Sequence, residues 1–501
     1  MKTLKIILLI TILAAIPVYN SAAEINDAGK YLEERVVYKT LDNGISIIML
    51  NRGYSPTLTL IISFRVGSAE ESYSTIGTAH MLEHMLFKGT ETIGTTDYAK
   101  EKIIQDQMES AGEELDRLRM ENPKDARISG LKTKLTELQK EQAKYIVSSP
   151  YSKIYTENGG IDFNASTSRD MTEYYIQLPV SKLELWARLE SERLENPVFR
   201  EFYLERDAVF EERLMRYESE GSSNLFEKFT SAAFIAHPYR HPTIGWKSNI
   251  ENFSIKKTRE FYKTFYIPGR MVITVVGKHD PEETYKILEK YFGKLPKKED
   301  PLPVIVSEPE QNGERKTEIF FEASPYIIIG WHKPATPSRD DYIFDVISSI
   351  LSDGRTSRLY NSLVIQKGLA ASINAWNGYP GARFDNLFII TAKPKFPHTA
   401  EELEKAIYDE LNKLGEDVKE SEISTVLNRM ESSFIFELDS NMGIAQTLDY
   451  YQTVFKDWKY AVNYLNVIKT INKDEIKEVM KKYLTDRNRT TGILRDTTKR
   501  E

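Results

Sequence analysis

Residues 80–84 read His-Met-Leu-Glu-His, and this short stretch governs the interpretation of the whole chain. On an α-helix, residues four apart lie on one face, so His80 and His84 can reach a single metal ion. Glu83 precedes the second histidine, where its carboxylate can reach a water on that metal. Zinc lowers the pKa of such a water, and a carboxylate can pass its proton to a leaving amine. The stretch therefore predicts a hydrolytic zinc site.

A third metal ligand has to come from elsewhere in the chain. The sequence contains no cysteine, which excludes disulfides, Cys-type zinc sites and thiol nucleophiles. A catalytic zinc usually has three protein ligands and a water, so the third is a histidine or a carboxylate. Glu205 and Glu212 lie two helical turns apart on one face, and either could serve. His237 and His241 each precede a proline and cannot share a regular helix face.

Composition excludes several classes of protein. A chain of 501 residues with 41% hydrophobic residues can fill the cores of roughly two to four domains. The charged fraction of 28% and the mean hydropathy of -0.43 exclude a polytopic membrane protein. The net charge of -7 leaves no basic excess for a phosphate backbone, so we expect no nucleic-acid partner.

The N-terminus has the pattern of a signal peptide. A basic start is followed by an apolar run over residues 6–18, and Ser21-Ala22-Ala23 offers a small-residue cleavage site. The alternative is a membrane anchor, but the run is short for spanning and contains Pro17. We predict a signal peptide over 1–23, a periplasmic or secreted protein, and no transmembrane segment after its removal.

The remaining chain has two similar halves. The first shows strand patterns over 36–51, 57–66 and 271–277, with a helix starting at Gly77. The second repeats this order over 317–331 and 490–494, with a helix near 342–354. A proline-rich, charged stretch separates them. This predicts an α+β protein with domains over 24–295 and 317–501 and a linker over 296–316. The alternative is that the halves look alike only because α/β elements recur in many unrelated proteins.

Residues 99–148 do not fit the repeat. They are mostly charged or polar, and they carry narrow leucine stripes broken around Asn122-Pro123. The pattern predicts an inserted antiparallel helical hairpin, serving either as a solvated surface excursion or as an arm that docks a partner.

Three stretches together resemble the M16 (pitrilysin/insulinase) peptidases, which include the mitochondrial processing peptidase. The sequence over 77–90 is similar to the family's zinc motif, the stretch 159–167 to its substrate-pairing strand, and 204–212 to the helix with the third ligand. The resemblance implies the LuxS/M16-like metallopeptidase fold, in which two homologous α/β domains form half of a clam-like chamber.

The resemblance also assigns the site residues. It makes Glu212 the third ligand beside His80 and His84, with one Zn²⁺ per chain, and Glu205 an outer carboxylate that orients a ligand. It implies that Glu83 is the catalytic base. The candidate substrate contacts are Asn164, Ala165 and Phe87.

The second half departs from the family pattern. Asp345, Ser348 and Ser349 stand where the zinc motif would be, so we expect no metal there. Val364 and Ala371 stand where catalytic members often carry an arginine and a tyrosine that stabilise the oxyanion.

This departure implies a partner: a related M16 subunit that supplies the Arg/Tyr pair, or a homodimer. Arg355, Arg358 and Tyr360 could instead substitute within the chain. The predicted function is a zinc-dependent endopeptidase acting on peptides or unfolded segments. The alternatives are a peptide-binding or assembly subunit without turnover and a zinc hydrolase of non-peptide amides.

Overall fold

Two open sheets, each flanked by helices, organise the chain. The computed structural model describes residues 28–53, 55–304 and 306–497, so the predicted signal peptide lies outside the described residues. The strands are β1 (Val36–Thr40), β2 (Ser46–Asn51), β3 (Thr57–Phe64), β4 (Ile161–Thr167), β5 (Thr172–Pro179), β6 (Met271–Gly277), β7 (Arg315–Phe321), β8 (Tyr326–Lys333), β9 (Ala370–Tyr379), β10 (Asn386–Pro394) and β11 (Arg489–Asp496). The helices are α1 (Ala28–Arg35), α2 (Thr78–Met85), α3 (Tyr98–Glu121), α4 (Arg127–Gln142), α5 (Pro150–Glu157), α6 (Leu183–Glu195), α7 (Phe202–Arg213), α8 (Gly221–Ala233), α9 (Lys247–Glu251), α10 (Ile255–Phe265), α11 (Pro281–Phe292), α12 (Arg339–Ser352), α13 (Ala400–Asp417), α14 (Glu420–Glu437), α15 (Asn441–Phe455), α16 (Lys459–Ile468) and α17 (Lys473–Tyr483).

The two sheets share one topology. The first has the order β1-β2-β6-β3-β5-β4 and the second β7-β11-β8-β10-β9. β2 pairs with β6 in parallel, as β7 does with β11, and the following pairs in both sheets are antiparallel. If β1 is left out, the strands of the first sheet therefore have the same order and relative directions as those of the second sheet. The predicted α+β class and the pair of homologous domains are confirmed; the limits of the domains stay predictions.

The sequence of α2 fixes its place against the first sheet. The helix begins directly after Gly77, whose φ of 88° lies in the left-handed region that favours glycine. A Cβ atom at this position would lie 2.6 Å from the carbonyl oxygen of Ile244, so a larger residue would not fit. The buried carboxylate of Glu71 accepts hydrogen bonds from the backbone amides of Gly77 and Ala79, at 2.8 and 2.7 Å. This cap satisfies two orphan donors of the helix and anchors it.

The insertion is a helical hairpin, as its leucine stripes predict. Helix α3 ends at Glu121 and α4 begins at Arg127, so the break falls at the predicted Asn122-Pro123. A buried ion pair joins the hairpin to the domain, because Arg200 Nε lies 2.8 Å from Glu101 Oε1 on α3. Arg200 also donates to the backbone carbonyl of Lys88 at 2.6 Å, close behind α2. The hairpin is therefore packed onto the domain that carries the histidines.

Each half of the chain packs one of its helices on the sheet of the other half. Helix α15 of the second half packs on β3 and β6 of the first sheet, and α8 of the first half packs on β7 and β11 of the second. On α15, the buried carboxylate of Asp449 accepts hydrogen bonds from the hydroxyls of Ser63 and, at 2.8 Å, Thr274. These contacts fix one half against the other.

Candidate metal centre

Helices α2 and α7 bring the three predicted ligands together. The ligand atoms of His80, His84 and Glu212 all lie within 4.8 Å of one another. Glu212 Oε2 is 3.7 Å from His80 Nε2 and 3.6 Å from His84 Nε2. Within the described ranges, no other group of three histidine, aspartate or glutamate side chains converges in this way. Two imidazole nitrogens and one carboxylate oxygen form a donor set that fits a catalytic zinc ion.

Glu205 occupies the position expected for an orienting carboxylate. Its Oε2 lies 3.2 Å from Nδ1 of His84, which leaves Nε2 of the same ring directed at Glu212. Lys88 forms an ion pair with Glu205 and a second with Glu201, the latter at 3.0 Å. A carboxylate on the far nitrogen fixes the tautomer and the ring orientation of a metal-binding histidine.

Burial and hydrogen bonding set the charges of the cluster. Burial opposes protonation of His84, but hydrogen bonds to Glu205 and Glu212 outweigh it and raise the pKa of the imidazole to about 9. Burial, together with the neighbouring His84, lowers the pKa of His80 to about 4. Burial also opposes ionisation of Glu212, yet the His84 hydrogen bond and the nearby His80 and Arg216 hold its pKa below the ordinary value. The carboxylate is thus ionised and ready to bind a cation.

Glu83 lies next to the ligands and has a hydrogen-bond donor of its own. The hydroxyl of Thr167, at the end of β4, donates to Glu83 Oε2 at 2.5 Å. Burial raises the pKa of Glu83 above its ordinary value, which brings a carboxylate closer to the range of a useful general base. Sequence reasoning missed Thr167, although it ends the stretch that resembles the substrate-pairing strand.

A cleft of about 890 Å³ runs past these residues along an edge strand. β4 is the last strand of its sheet and, among the described strands, pairs with β5 alone, with Asn164 opposite Tyr175 and Ala165 opposite Tyr174. Asn164 is exposed and Ala165 is half-buried, and both line the cleft. Such an edge presents free backbone donors and acceptors to an extended peptide.

Phe87 also lines the cleft, but its ring packs against side chains of its own domain. Its ring packs edge-on against Phe163 with centroids 5.3 Å apart, and the guanidinium of Arg193 lies 5.6 Å from its centre. It forms part of the wall beside β4.

The second half arranges its corresponding residues differently. Val364 packs against the core of this half, and Asp345 accepts from Asn377 at 2.8 Å and from the Tyr464 hydroxyl at 3.1 Å. Arg358, one of the candidate substitutes, forms ion pairs with Asp417 and Glu422 at 2.7 and 2.6 Å. Its guanidinium is therefore already engaged within its own domain.

Comparison with known proteins identifies the family. A model of the insulinase family, peptidase family M16, matches residues 47–108 and 148–246, and a model of the M16 inactive domain matches residues 252–430. The chain belongs to the M16 peptidase family. The interval that neither model matches between residues 108 and 148 contains the second part of α3 and all of α4.

Several M16 relatives align with nearly the whole chain. The zinc protease PqqE of Helicobacter pylori is 25% identical over 91% of this chain and 92% of its own length. A probable mitochondrial-processing peptidase subunit beta of Arabidopsis thaliana is 22% identical over 90% of this chain and 76% of its own length. The crystal structure of a protease from Helicobacter pylori superposes with a TM-score of 0.77, covering 92% of this chain and 99% of the other at 24% identity.

A longer relative contains the same unit as one of its halves. The periplasmic protease PqqL of Escherichia coli superposes with a TM-score of 0.69 at 15% identity, over 93% of this chain and 48% of PqqL. The separate structure of its first half is covered to 92%. In the described residues of the present chain, no helix is both long and apolar enough to cross a membrane.

Proposed function

We propose that this protein is a zinc-dependent endopeptidase that hydrolyses peptides or unfolded segments. One observation carries the proposal: the donor set of His80, His84 and Glu212 lies at an edge strand, with the carboxylate of Glu83 beside it. A metal site and a strand-binding edge in one cleft suit an extended polypeptide substrate. The names of zinc-protease relatives support the same chemistry.

The chain's own residues supply the remaining parts of the reaction. Zinc held by His80, His84 and Glu212 would lower the pKa of a water and polarise the scissile carbonyl. Glu83 takes the proton of the attacking water and delivers it to the leaving amine, while Thr167 holds Oε2 and leaves Oε1 free for that proton. The backbone edge at Asn164 and Ala165 holds the substrate as an added strand.

A peptide-binding or assembly subunit without turnover is the second candidate. It is favoured by Val364 and Ala371, which stand where other members carry an arginine and a tyrosine, and by the packing of Val364 against the core. Retention of the full donor set around Glu83 weighs in favour of the enzyme.

We also propose that the active assembly contains a second M16 unit. This chain corresponds to about half of PqqL and aligns with a protein named as a peptidase subunit. A related subunit could supply the Arg/Tyr pair, whereas a homodimer could not, because its second copy carries the same Val364 and Ala371. Export to the periplasm or beyond is proposed from the pattern of residues 1–23 and from the periplasmic location named for PqqL.

Metal removal tests the enzymatic proposal. The purified protein is incubated with an unbiased peptide mixture before and after chelation, and again after zinc is restored. We expect cleavage that stops on chelation and returns with one zinc per chain. Binding of one zinc per chain without any cleavage would favour the peptide-binding subunit or the need for a partner.

A further inference from the structure

A second cavity continues from the metal cleft between the two halves of the molecule. It has a volume of about 510 Å³, and Arg216 and Tyr217 line both this cavity and the metal cleft. The second half contributes Tyr379, the last residue of β9, to its lining. A peptide lying along β4 past the metal could therefore extend into this cavity.

A local change in helix geometry brings Arg216 and Tyr217 to this junction. Directly after α7, residues Leu214–Glu218 form a π-helical turn, a feature that recurs at functional sites because it changes where side chains project. Arg216 lies 3.0 Å from Glu212 Oε1, yet its side chain is still 65% exposed. It can therefore contact a second anion without leaving Glu212.

Two further arginines line this cavity. Arg169 follows β4 in the turn to β5, and it donates to the hydroxyls of Ser68 at 3.3 Å and Thr243 at 3.0 Å. Arg240 donates to the backbone carbonyl of Ile235 at 2.8 Å. Across the described residues, neither guanidinium lies within salt-bridge distance of a carboxylate, so each can still pair with a carboxylate of a bound peptide.

Two carboxylates line the cavity, and they differ in their partners. Glu227 is paired with the buried Arg213 at 2.9 Å, and Glu220 accepts from the backbone amide and hydroxyl of Ser222 at the start of α8. Three arginines thus line the cavity together with one carboxylate, that of Glu220, which forms no ion pair among the described residues. Phe226, Tyr217 and Tyr379 supply aromatic surface beside them.

We propose that this cavity, lined by Arg169, Arg216 and Arg240, binds a carboxylate of the peptide substrate at a fixed distance from the cleaved bond. The carboxylate comes either from an acidic side chain or from the C-terminus of the peptide. Guanidinium groups suit a carboxylate because their paired N–H donors match its two oxygens. This inference rests on the proposed function, because it concerns the specificity of the same cleft.

A position-scanned peptide series tests it. Each peptide carries glutamate or glutamine at one position and has an amidated C-terminus, and one further pair differs only in a free or amidated C-terminus. We expect glutamate at one position, or the free C-terminus, to raise kcat/KM about tenfold, as for one added charge-assisted contact. An effect in a glutamate/glutamine pair would identify an acidic side chain as the source of the carboxylate, and an effect in the free/amidated pair would identify the C-terminus.

The variants Arg169→Gln and Arg240→Gln decide whether the cavity is responsible. We expect either substitution to bring the glutamate-to-glutamine ratio of kcat/KM close to one. Arg119→Gln is the matched control, since Arg119 also donates to a backbone carbonyl, that of Glu251, but lies on the hairpin. An unchanged ratio in both cavity variants, or an equal loss in the control, would overturn the proposal.

Binding separates this inference from the proposed function. Fluorescently labelled peptides of the same series are titrated against the Glu83→Gln protein, which retains the cavity but lacks the proposed base. A carboxylate-dependent affinity that disappears in Arg240→Gln supports the cavity even if no peptide is cleaved. Equal affinity for all peptides contradicts it, whatever the outcome for catalysis.

Discussion

At the scale of single residues, the hydroxyl of Thr167 is expected to tune the proposed catalytic base. Its hydrogen bond of 2.5 Å stabilises the ionised form of Glu83, so Thr167→Val should raise the pKa of Glu83 further. We expect kcat to fall about tenfold at neutral pH and the acidic limb of the pH profile to move to higher pH. Thr167→Ser keeps the donor and should behave like the wild type. Identical profiles for the valine variant and the wild type would argue against this contact.

Glu205 is expected to affect the metal through His84 alone. Glu205→Gln weakens the hydrogen bond to Nδ1, and losses of such outer contacts typically cost about 10- to 100-fold in metal affinity. Zinc affinity is measured by competition with a fluorescent chelator. The control is Glu211→Gln, an exposed neighbour of the proposed ligand Glu212. Equal zinc affinity in the two variants would show that Glu205 does not orient His84.

At the scale of elements, a buried carboxylate on α15 makes the join between the halves sensitive to pH. Burial raises the pKa of Asp449 from 3.8 to about 7, although Ser63 and Thr274 donate to it. Between pH 4 and 7, the unfolded chain has released the proton of this carboxyl, whereas the folded protein still holds it. The free energy of unfolding therefore falls as the pH rises through that interval. Above pH 7 the loss is complete.

Asp449→Asn removes that ionisation. We expect the metal-free variant to match the wild type near pH 4 and to exceed its free energy of unfolding by about 1–4 kcal/mol at pH 8. Urea unfolding at both pH values measures the difference, and Asp457→Asn on the exposed surface serves as the control. A variant that is less stable than the wild type at pH 8 would show that Asp449 is held ionised by its partners.

The elements were predictable to different degrees. Helix α2, the strands and the hairpin could be predicted because their signals lie within a few residues of one another. These signals are the spacing of His80 and His84, the alternation in β3 and the proline after Asn122. The π-helical turn at Leu214–Glu218 could not, because nothing in its sequence distinguishes it from continued α-helix. The choice of Glu212 over Glu205 came from the family resemblance, since spacing alone permits both.

At the scale of the whole molecule, the packing of one helix of each half on the sheet of the other half is the feature that sequence could not predict. It joins residues more than 170 positions apart, such as Asp449 with Thr274. Because α15 covers β3 and β6, a fragment over 24–316 should expose apolar sheet surface and fail to unfold cooperatively. Co-expression with 317–501 should restore the fold, as measured by circular dichroism and urea unfolding. A stable, zinc-binding fragment on its own would contradict this interdependence.

The measurement that tests the central claim most directly compares the wild type with Glu83→Gln. Both proteins are loaded with zinc, their metal content is determined, and their cleavage of the same peptide mixture is followed by mass spectrometry. We predict one zinc per chain in both proteins and cleavage only by the wild type. Equal cleavage by the two proteins, under conditions in which both hold zinc, would contradict the role of Glu83 and with it the proposed peptidase mechanism.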